Sequence, residues 1–267
     1  MKISLIIGFI FLVQLVFSQE ISRKGEVYML WGYNRAAYAP SDIRFEGANY
    51  NFTLYDVKAK DFPSEFKPSV YFGLFSFTIP QYNYRIGYYF NDDLSLSVGL
   101  DHMKYVVKRG QSTYIDGTIS NSGTQYDGDY NDVLINLDSE LMTLEHTDGF
   151  NYLSVELDKH WRLWTGCTKH YCDWFAGVGA GLMIPRSDVT VLGVKAANEF
   201  HIAGEAMAFQ TGFKAKFFNH FSVHTTLKAG VSRLHDILTT VNGDKAVQNV
   251  GWIQGYWQVG YIGRIGK

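Results

Sequence analysis

The residues best suited to chemistry are histidines, a serine and aspartates in separate segments of the chain. They are His146-Thr147-Asp148, Ser187-Asp188, His201 and His235-Asp236. A serine becomes a nucleophile when a histidine takes its proton and a carboxylate orients that histidine. Folding that unites one residue of each type would support acyl hydrolysis or acyl transfer. Histidines in connecting segments also occur without such partners, so catalysis is the alternative interpretation and no catalytic residue is assigned.

The chain has two cysteines, Cys167 and Cys172, which lie five positions apart. In an exported protein, a close pair of this kind predicts a disulfide. A metal site that adds His170 lacks a clear fourth ligand for tetrahedral zinc. We therefore predict a disulfide between Cys167 and Cys172 and no metal site.

A second candidate for a cation site is the segment Gln111–Asp138, which is rich in aspartate and tyrosine. Its Asp127, Asp129 and Asp132 offer the oxygen ligands that calcium prefers. The glycine and the terminal glutamate of a defined calcium-binding loop are missing at the required spacing. The composition instead predicts disorder, and we predict no cofactor for this chain.

The strands that position these candidate residues can be located from side chains that alternate in polarity with a period of two. From Thr78 to Phe90, and from Leu94 to Val107, aromatic and aliphatic residues alternate with small, polar or charged ones. Successive side chains of a strand point to opposite faces, so this period indicates strands with one apolar and one polar face. Repeated along a chain, the pattern is typical of a transmembrane β-barrel with lipid outside and a polar lumen.

We predict an all-β protein, a closed antiparallel transmembrane β-barrel of eight strands. The strands are Val27–Ala36, Thr78–Phe90, Leu94–Val107, Phe150–Leu163, Asp173–Ile184, Ala203–Phe217, Phe221–Arg233 and Val250–Arg264. Short connections alternate with long ones, which predicts periplasmic termini and four extracellular loops. Two further strands within Asp42–Ala59 would give ten, the alternative count. Asp56 and Lys58 favour a solvated, β-rich first loop there instead.

The predicted polar faces carry six charged residues of both signs. They are Arg85, Asp101, Glu156, Asp158, Lys214 and Lys228. Asp101, Glu156 and Lys228 each lie about seven residues from a short turn, which at ~3.3 Å per residue and ~45° tilt is roughly 16 Å into the wall. An unpaired charge in so narrow a lumen would cost several kcal/mol, so pairing is nearly forced. We predict a structural charge cluster, with a narrow, porin-like pore as the alternative.

The N-terminal residues indicate export. Met1-Lys2 is basic and Ile3–Phe17 is almost wholly apolar, which predicts a signal peptide over 1–18 and a mature barrel domain over 19–267. The apolar run is short for a spanning helix.

The net charge of -2 and the absence of a Lys/Arg cluster exclude the basic stripe that nucleic-acid binding requires. Aromatic residues make up 16%, as the interfacial girdles of a barrel need.

Two runs resemble a known family. Ile79-Pro-Gln-Tyr-Asn-Tyr-Arg-Ile-Gly-Tyr-Tyr-Phe and Val178-Gly-Ala-Gly-Leu-Met-Ile-Pro-Arg-Ser-Asp188 resemble small outer-membrane β-barrel proteins of Bacteroidota-type bacteria, in the OmpA-type barrel class. The resemblance covers the signal peptide and nearly all predicted strands. It implies a location and a fold, and it implies no activity.

The leading interpretation is an integral outer-membrane protein of the cell envelope with a structural or surface-interaction role. Its expected partners are outer-membrane lipid, lipopolysaccharide and an extracellular ligand met by the loops. The alternative is an acyl hydrolase or acyltransferase acting on lipid A or phospholipid. Small outer-membrane lipid A deacylases share the architecture, but Asp101-His102-Met103-Lys104 departs from their His-x-Ser-Asn type of motif.

Overall fold

The computed structural model describes residues 22–73, 79–166, 170–196 and 198–264. The described part of the chain contains fifteen strands and one helical turn. In chain order they are β1 (Glu26–Tyr38), β2 (Ser41–Gly47), β3 (Tyr50–Val57), β4 (Ala59–Lys60), α1 (Pro68–Tyr71), β5 (Tyr82–Tyr89), β6 (Leu94–Val107), β7 (Ser112–Ile119), β8 (Gly128–Asn136), β9 (Met142–Thr165), β10 (Tyr171–Pro185), β11 (Asp188–Val191), β12 (Val194–Lys195), β13 (Gly204–Phe217), β14 (Phe221–Leu238) and β15 (Lys245–Arg264). Among these residues, none forms a helix long and apolar enough to cross a bilayer.

Eight of these strands form a closed antiparallel ring. The order is β1-β5-β6-β9-β10-β13-β14-β15, and β15 pairs back to β1 from Glu26↔Arg264 to Tyr38↔Trp252. Closure leaves no free edge in the ring, so each ring strand has hydrogen-bonding neighbours on both sides. The predicted all-β antiparallel architecture is therefore confirmed.

The predicted strands correspond one to one with the ring strands. Leu94–Val107 matches β6 at both ends, whereas β9, β14 and β15 extend well beyond the predicted limits. The second predicted strand begins later than expected, at Tyr82. Pro80 precedes it, and a proline has no backbone N–H to donate to a ladder. The segment Asp42–Ala59 contributes β2 and β3, which lie outside the ring.

Side chains alternate between the outside and the inside of the ring. On β14, Leu227 is 52% exposed, while Thr226 and Lys228 on either side of it are buried. The outward apolar residues together form what we call the belt. Its exposed members include Met29, Ile86, Leu96, Val98, Val155, Leu157, Trp174, Val178, Phe209, Phe213, Leu227, Ile253, Trp257 and Tyr261.

The ring has a turn end and a cap end. The turn end carries Asn91–Asp93, the β9–β10 and β13–β14 connections and the start of β1. The cap consists of β2, β3, β4, β7, β8, β11 and β12, which pair with one another and with the upper parts of β6, β9 and β15.

An apolar core fills the cap and the lumen beneath it. Phe45 of β2 stacks on Phe52 of β3 at 5.1 Å between ring centroids. Tyr152 and Trp252, lower in the same core, lie 5.7 Å apart inside the ring. The lumen is therefore closed on the cap side by packed side chains.

The prediction of disorder for Gln111–Asp138 is wrong. Most of this segment forms the hairpin of β7 and β8, and β7 also pairs with β3. Ile115 and Ile119 are buried in the cap core, as is Leu137. Asp127, Asp129 and Asp132, which suggested disorder, are exposed in the turn and on β8 of the hairpin.

Candidate functional site

Four of the six predicted lumenal charges meet in one compact cluster, which we call the ion cluster. Arg85 of β5 lies 3.0 Å from Asp101 of β6 and 2.7 Å from Glu156 of β9. Lys228 of β14 lies 2.8 Å from Asp101 and 2.6 Å from Glu156. The two cations and the two carboxylates thus alternate in a square, and each charge contacts both charges of opposite sign.

Neutral side chains complete the hydrogen bonding of the ion cluster. Asp101 also accepts from the side-chain amides of Asn83 at 2.5 Å and Gln254 at 2.7 Å. Glu156 accepts from the Ser154 hydroxyl at 2.8 Å and the Gln210 amide at 3.0 Å. All four charged side chains are almost completely buried, and a buried ion pair is tolerated only when its remaining hydrogen-bonding capacity is filled in this way.

Glycines on the inward faces make room for these charges. A Cβ at Gly99 would overlap the Arg85 guanidinium, and one at Gly179 would come within 2.9 Å of the Glu156 Cγ. Small residues at these positions are therefore required by the charged neighbours across the strand pairs. This requirement links the glycine-rich face of β10 to the ion cluster.

The other two predicted charges face the lumen but lie outside the ion cluster. Asp158 accepts a hydrogen bond of 2.6 Å from the Gln210 amide. Lys214 donates to the Tyr89 hydroxyl, and its Nζ lies 4.3 Å from the centroid of the Tyr89 ring and 5.1 Å from that of Tyr28. Lys214 is thus held mainly by aromatic contacts, a cation–π arrangement.

A second set of buried ion pairs, which the sequence analysis missed, lies at the turn end. Arg23 and Arg162 both contact Asp173, the latter at 2.6 Å. Lys216 contacts Glu26 at 2.6 Å. Most of these residues stand at strand ends, where alternation gives a weak signal. Arg23 precedes β1, so no strand pattern includes it.

A small polar cavity separates the two sets of ion pairs. Its volume open to the centre of a water molecule is about 20 Å³, and Asp158, Tyr28 and Thr226 are among its lining residues. Ser97 Oγ and His224 Nε2, which also border it, have no protein hydrogen-bond partner. A cavity of this size and polarity is large enough for one water molecule. Arg85 and Glu156 of the ion cluster also line this cavity.

The candidate residues for acyl chemistry form separate pairs. Ser187 Oγ lies 3.1 Å from His146 Nδ1, and His201 Nε2 lies 2.7 Å from Asp236. His235 approaches Glu205 at 3.4 Å. Among the described residues, none of these contacts joins a serine, a histidine and an acid into one triad.

The surroundings of His146 do not suit a general base. Its ring stacks on Phe150 at 5.4 Å, it is completely buried in the cap core, and its Nε2 has no partner. Burial lowers the pKa of His146 to about 3, because desolvation disfavours the imidazolium. The two acids next in sequence to this pair contact cations instead, since Asp148 pairs with Arg186 and Asp188 with Lys195, each at 3.3 Å.

The predicted disulfide cannot be placed, because Cys167 lies outside the described residues. In the register of β9 and β10, Cys172 lies opposite Trp164. The disulfide stays a prediction. Within residues 22–73, 79–166, 170–196 and 198–264, no group of three or more His, Cys, Asp or Glu side chains is placed to hold a metal ion.

No protein-family model and no curated protein sequence matches this chain. Among solved structures, the chain is similar to the attachment invasion locus protein Ail of Yersinia pestis, with 15% identity, 90% of this chain and 99% of that chain covered, and a TM-score of 0.36. It is also similar to the outer membrane protein OprG of Pseudomonas aeruginosa, with 11% identity, coverage of 91% and 98%, and a TM-score of 0.38. Similarity at these TM-scores carries no conclusion about this chain.

The ion cluster should respond strongly to the loss of one charge. We expect Lys228→Met to lower the free energy of unfolding by about 3–5 kcal/mol, because two buried carboxylates would share one guanidinium. Urea unfolding of the protein in lipid vesicles measures this change. Adding Glu156→Gln to Lys228→Met should restore part of the loss by rebalancing the charge. The control Lys195→Met removes an exposed pair and should have little effect; equal losses at both lysines would contradict the assignment.

His146 should make the stability depend on pH. Its folded pKa is about 3 and its unfolded pKa is about 6.5, so between these values the unfolded chain binds the extra proton. The stability contribution is complete above the unfolded pKa and declines as the pH falls toward 3, by at most about 1.4 kcal/mol per pH unit. Urea unfolding at several pH values should show a shallower decline for His146→Phe. An unchanged slope in His146→Phe would contradict the prediction.

Proposed function

We propose that this protein spans a bacterial outer membrane as a closed eight-stranded barrel and has a structural or surface-interaction role in the envelope, without catalysis. The observation that carries the proposal is the belt. Exposed Leu, Val, Ile, Phe and Trp side chains surround the ring, while the six predicted lumenal charges are buried inside it. Exposed or partly exposed charges of the ring strands, such as Arg233 and Lys159, lie level with the ends of neighbouring strands, opposite Glu205 and Leu94. In water this arrangement would expose a far larger apolar surface than soluble proteins show, whereas in lipid it is the expected one.

Strand lengths support the same proposal. A tilted strand needs about 9–11 residues to cross a bilayer. β9 has 24 residues, β14 has 18 and β15 has 20. Each of these strands can cross the membrane and continue as the wall of the cap. We infer that the cap lies outside the cell and that the turn end, with both ends of the chain, faces the periplasm.

The packed lumen favours a role carried by the surface. The ion cluster, the turn-end ion pairs and the cap core fill the interior at successive levels, so a porin-like pore finds no support. We propose that the cap binds extracellular ligands and that the belt contacts outer-membrane lipid and lipopolysaccharide.

We also propose that the mature chain spans 19–267 after loss of a signal peptide, and that it belongs to the OmpA-type barrel class of Bacteroidota-type bacteria.

Two leucines provide a matched test of the membrane proposal. Leu227 lies in the belt and is 52% exposed, and Leu134 lies on β8 of the cap and is 59% exposed. We expect Leu227→Arg to cost about 2–4 kcal/mol of stability in a bilayer and Leu134→Arg to be tolerated. Outer-membrane fractionation should show less of the Leu227→Arg protein, and its gel mobility should lose the difference between unheated and heated samples that marks a folded barrel.

A soluble ring would tolerate both substitutions, because both side chains would already face water. Equal recovery of the two variants, or wild-type protein in the soluble periplasmic fraction, would contradict the proposal. Loss of both variants would show that an arginine harms folding equally inside and outside the belt. This outcome would also contradict the proposal.

The contact between Ser187 and His146 favours a second candidate, an acyl hydrolase or acyltransferase acting on lipid A or phospholipid. Its weakness is that His146 is buried without an acid partner. We expect mass spectra of lipid A to be the same in a deletion strain complemented with wild type or with Ser187→Ala. An acyl-chain change restored by wild type but not by Ser187→Ala would favour the enzyme instead.

A further inference from the structure

The segment Asp61–Gly73, which we call the collar, folds back over the outside of the ring. The Tyr33 hydroxyl, on the outward face of β1, donates to the backbone carbonyl of Tyr71, and the two rings lie 4.8 Å apart. Lys104, on the outward face of β6, donates to Ser64 Oγ at 3.3 Å. The collar therefore covers outward positions, and Tyr33 is only 5% exposed as a result.

The free side of the collar is aromatic. Phe62 is 50% exposed, Phe66 is 67% exposed and Phe72 is 62% exposed. Asp61 joins the collar to the ring by accepting from the Ala36 backbone N–H at 3.3 Å. Glu65 and Lys67, on either side of Phe66, form an exposed ion pair at 2.8 Å. The collar is thus attached to the ring through Asp61, Ser64 and Tyr71, and its free side carries the three exposed phenylalanines together with the Glu65–Lys67 ion pair.

The collar lies where the belt ends. In the register of β1, Tyr33 stands between Tyr82 of β5 and Trp257 of β15. Trp257 is exposed and belongs to the belt, and its ring lies 6.2 Å from that of Tyr33. Aromatic side chains concentrate at this level in membrane proteins, because it is the boundary between acyl chains and water.

We propose that the collar is an interfacial anchor whose phenylalanines insert among the acyl chains of the outer leaflet. This inference rests on the proposed membrane location. Lipid is the occupant because aromatic contacts connect the collar to the belt. Phe66 lies 5.1 Å from Tyr71, and Tyr71 contacts Tyr33, which contacts the belt residue Trp257. Lys60 supports this placement, since its Nζ lies 5.9 Å from the centroid of Phe62 and a cation there suits an anionic headgroup region.

Site-directed fluorescence can test the anchor. Single cysteines replace Phe66, Val178 in the belt and Leu134 in the cap, in a Cys167→Ser, Cys172→Ser background, and each carries the polarity-sensitive label NBD. The labelled proteins are folded into phosphatidylcholine vesicles with bromines on the upper or the lower part of the acyl chain. Heat-dependent gel mobility confirms folding, and Phe62→Cys or Phe72→Cys replaces Phe66→Cys if that variant does not fold.

We expect blue-shifted emission at the Phe66 site, quenched most by upper-chain bromines, because interfacial elements bury about 5–10 Å into the headgroup boundary. The Val178 site should be quenched most by lower-chain bromines and the Leu134 site by neither. Quenching at Val178 without quenching at Phe66 would overturn the anchor and leave the membrane proposal intact. Absence of quenching at all three sites would overturn both, and equal quenching at Phe66 and Leu134 would show that the contact is not specific to the collar.

Discussion

The structure depends on the hydrogen-bonded seam between β1 and β15, which closes the sheet on itself. Closure gives every ring strand an inside and an outside, and with eight strands the inside is just wide enough for side chains. Each inward residue must therefore fit its neighbours in volume, hydrogen bonding and charge. Arg85, Asp101, Glu156 and Lys228 meet this demand together, and Gly99 meets it by leaving space for the Arg85 guanidinium.

The same constraint explains why the interior offers no obvious chemistry. Charges of opposite sign neutralise each other in the ion cluster, and aromatic residues of the cap core close the lumen above it. The Ser187–His146 contact belongs to that core, where burial keeps the imidazole neutral. What remains accessible is the outside: the belt, the collar and the faces of the cap. This distribution supports the proposed function at a surface.

The ring could be predicted from the sequence because its information is local. Alternation places Leu227 outside and Lys228 inside, and counting from the short turns places Asp101 and Glu156 at one depth. The cap could not be predicted, because β2 pairs with β15 and β3 pairs with β7 across long stretches of sequence. Alternation alone also places Tyr33 in lipid, and only the return of the collar over β1 explains its burial. The alternation pattern could not identify Arg23, because this residue precedes β1.

Nuclear Overhauser spectroscopy of the deuterated, methyl-labelled protein in lipid nanodiscs tests closure and membrane location in one experiment. We expect cross-strand signals along the β1–β15 register, such as Trp31 with Val259. We also expect contacts from belt methyl groups such as Val155 and Val178 to lipid acyl chains, and water contacts for the cap residue Val133. A missing β1–β15 seam beside intact neighbouring pairings, or belt methyl groups that contact only water, would contradict a closed barrel in the membrane.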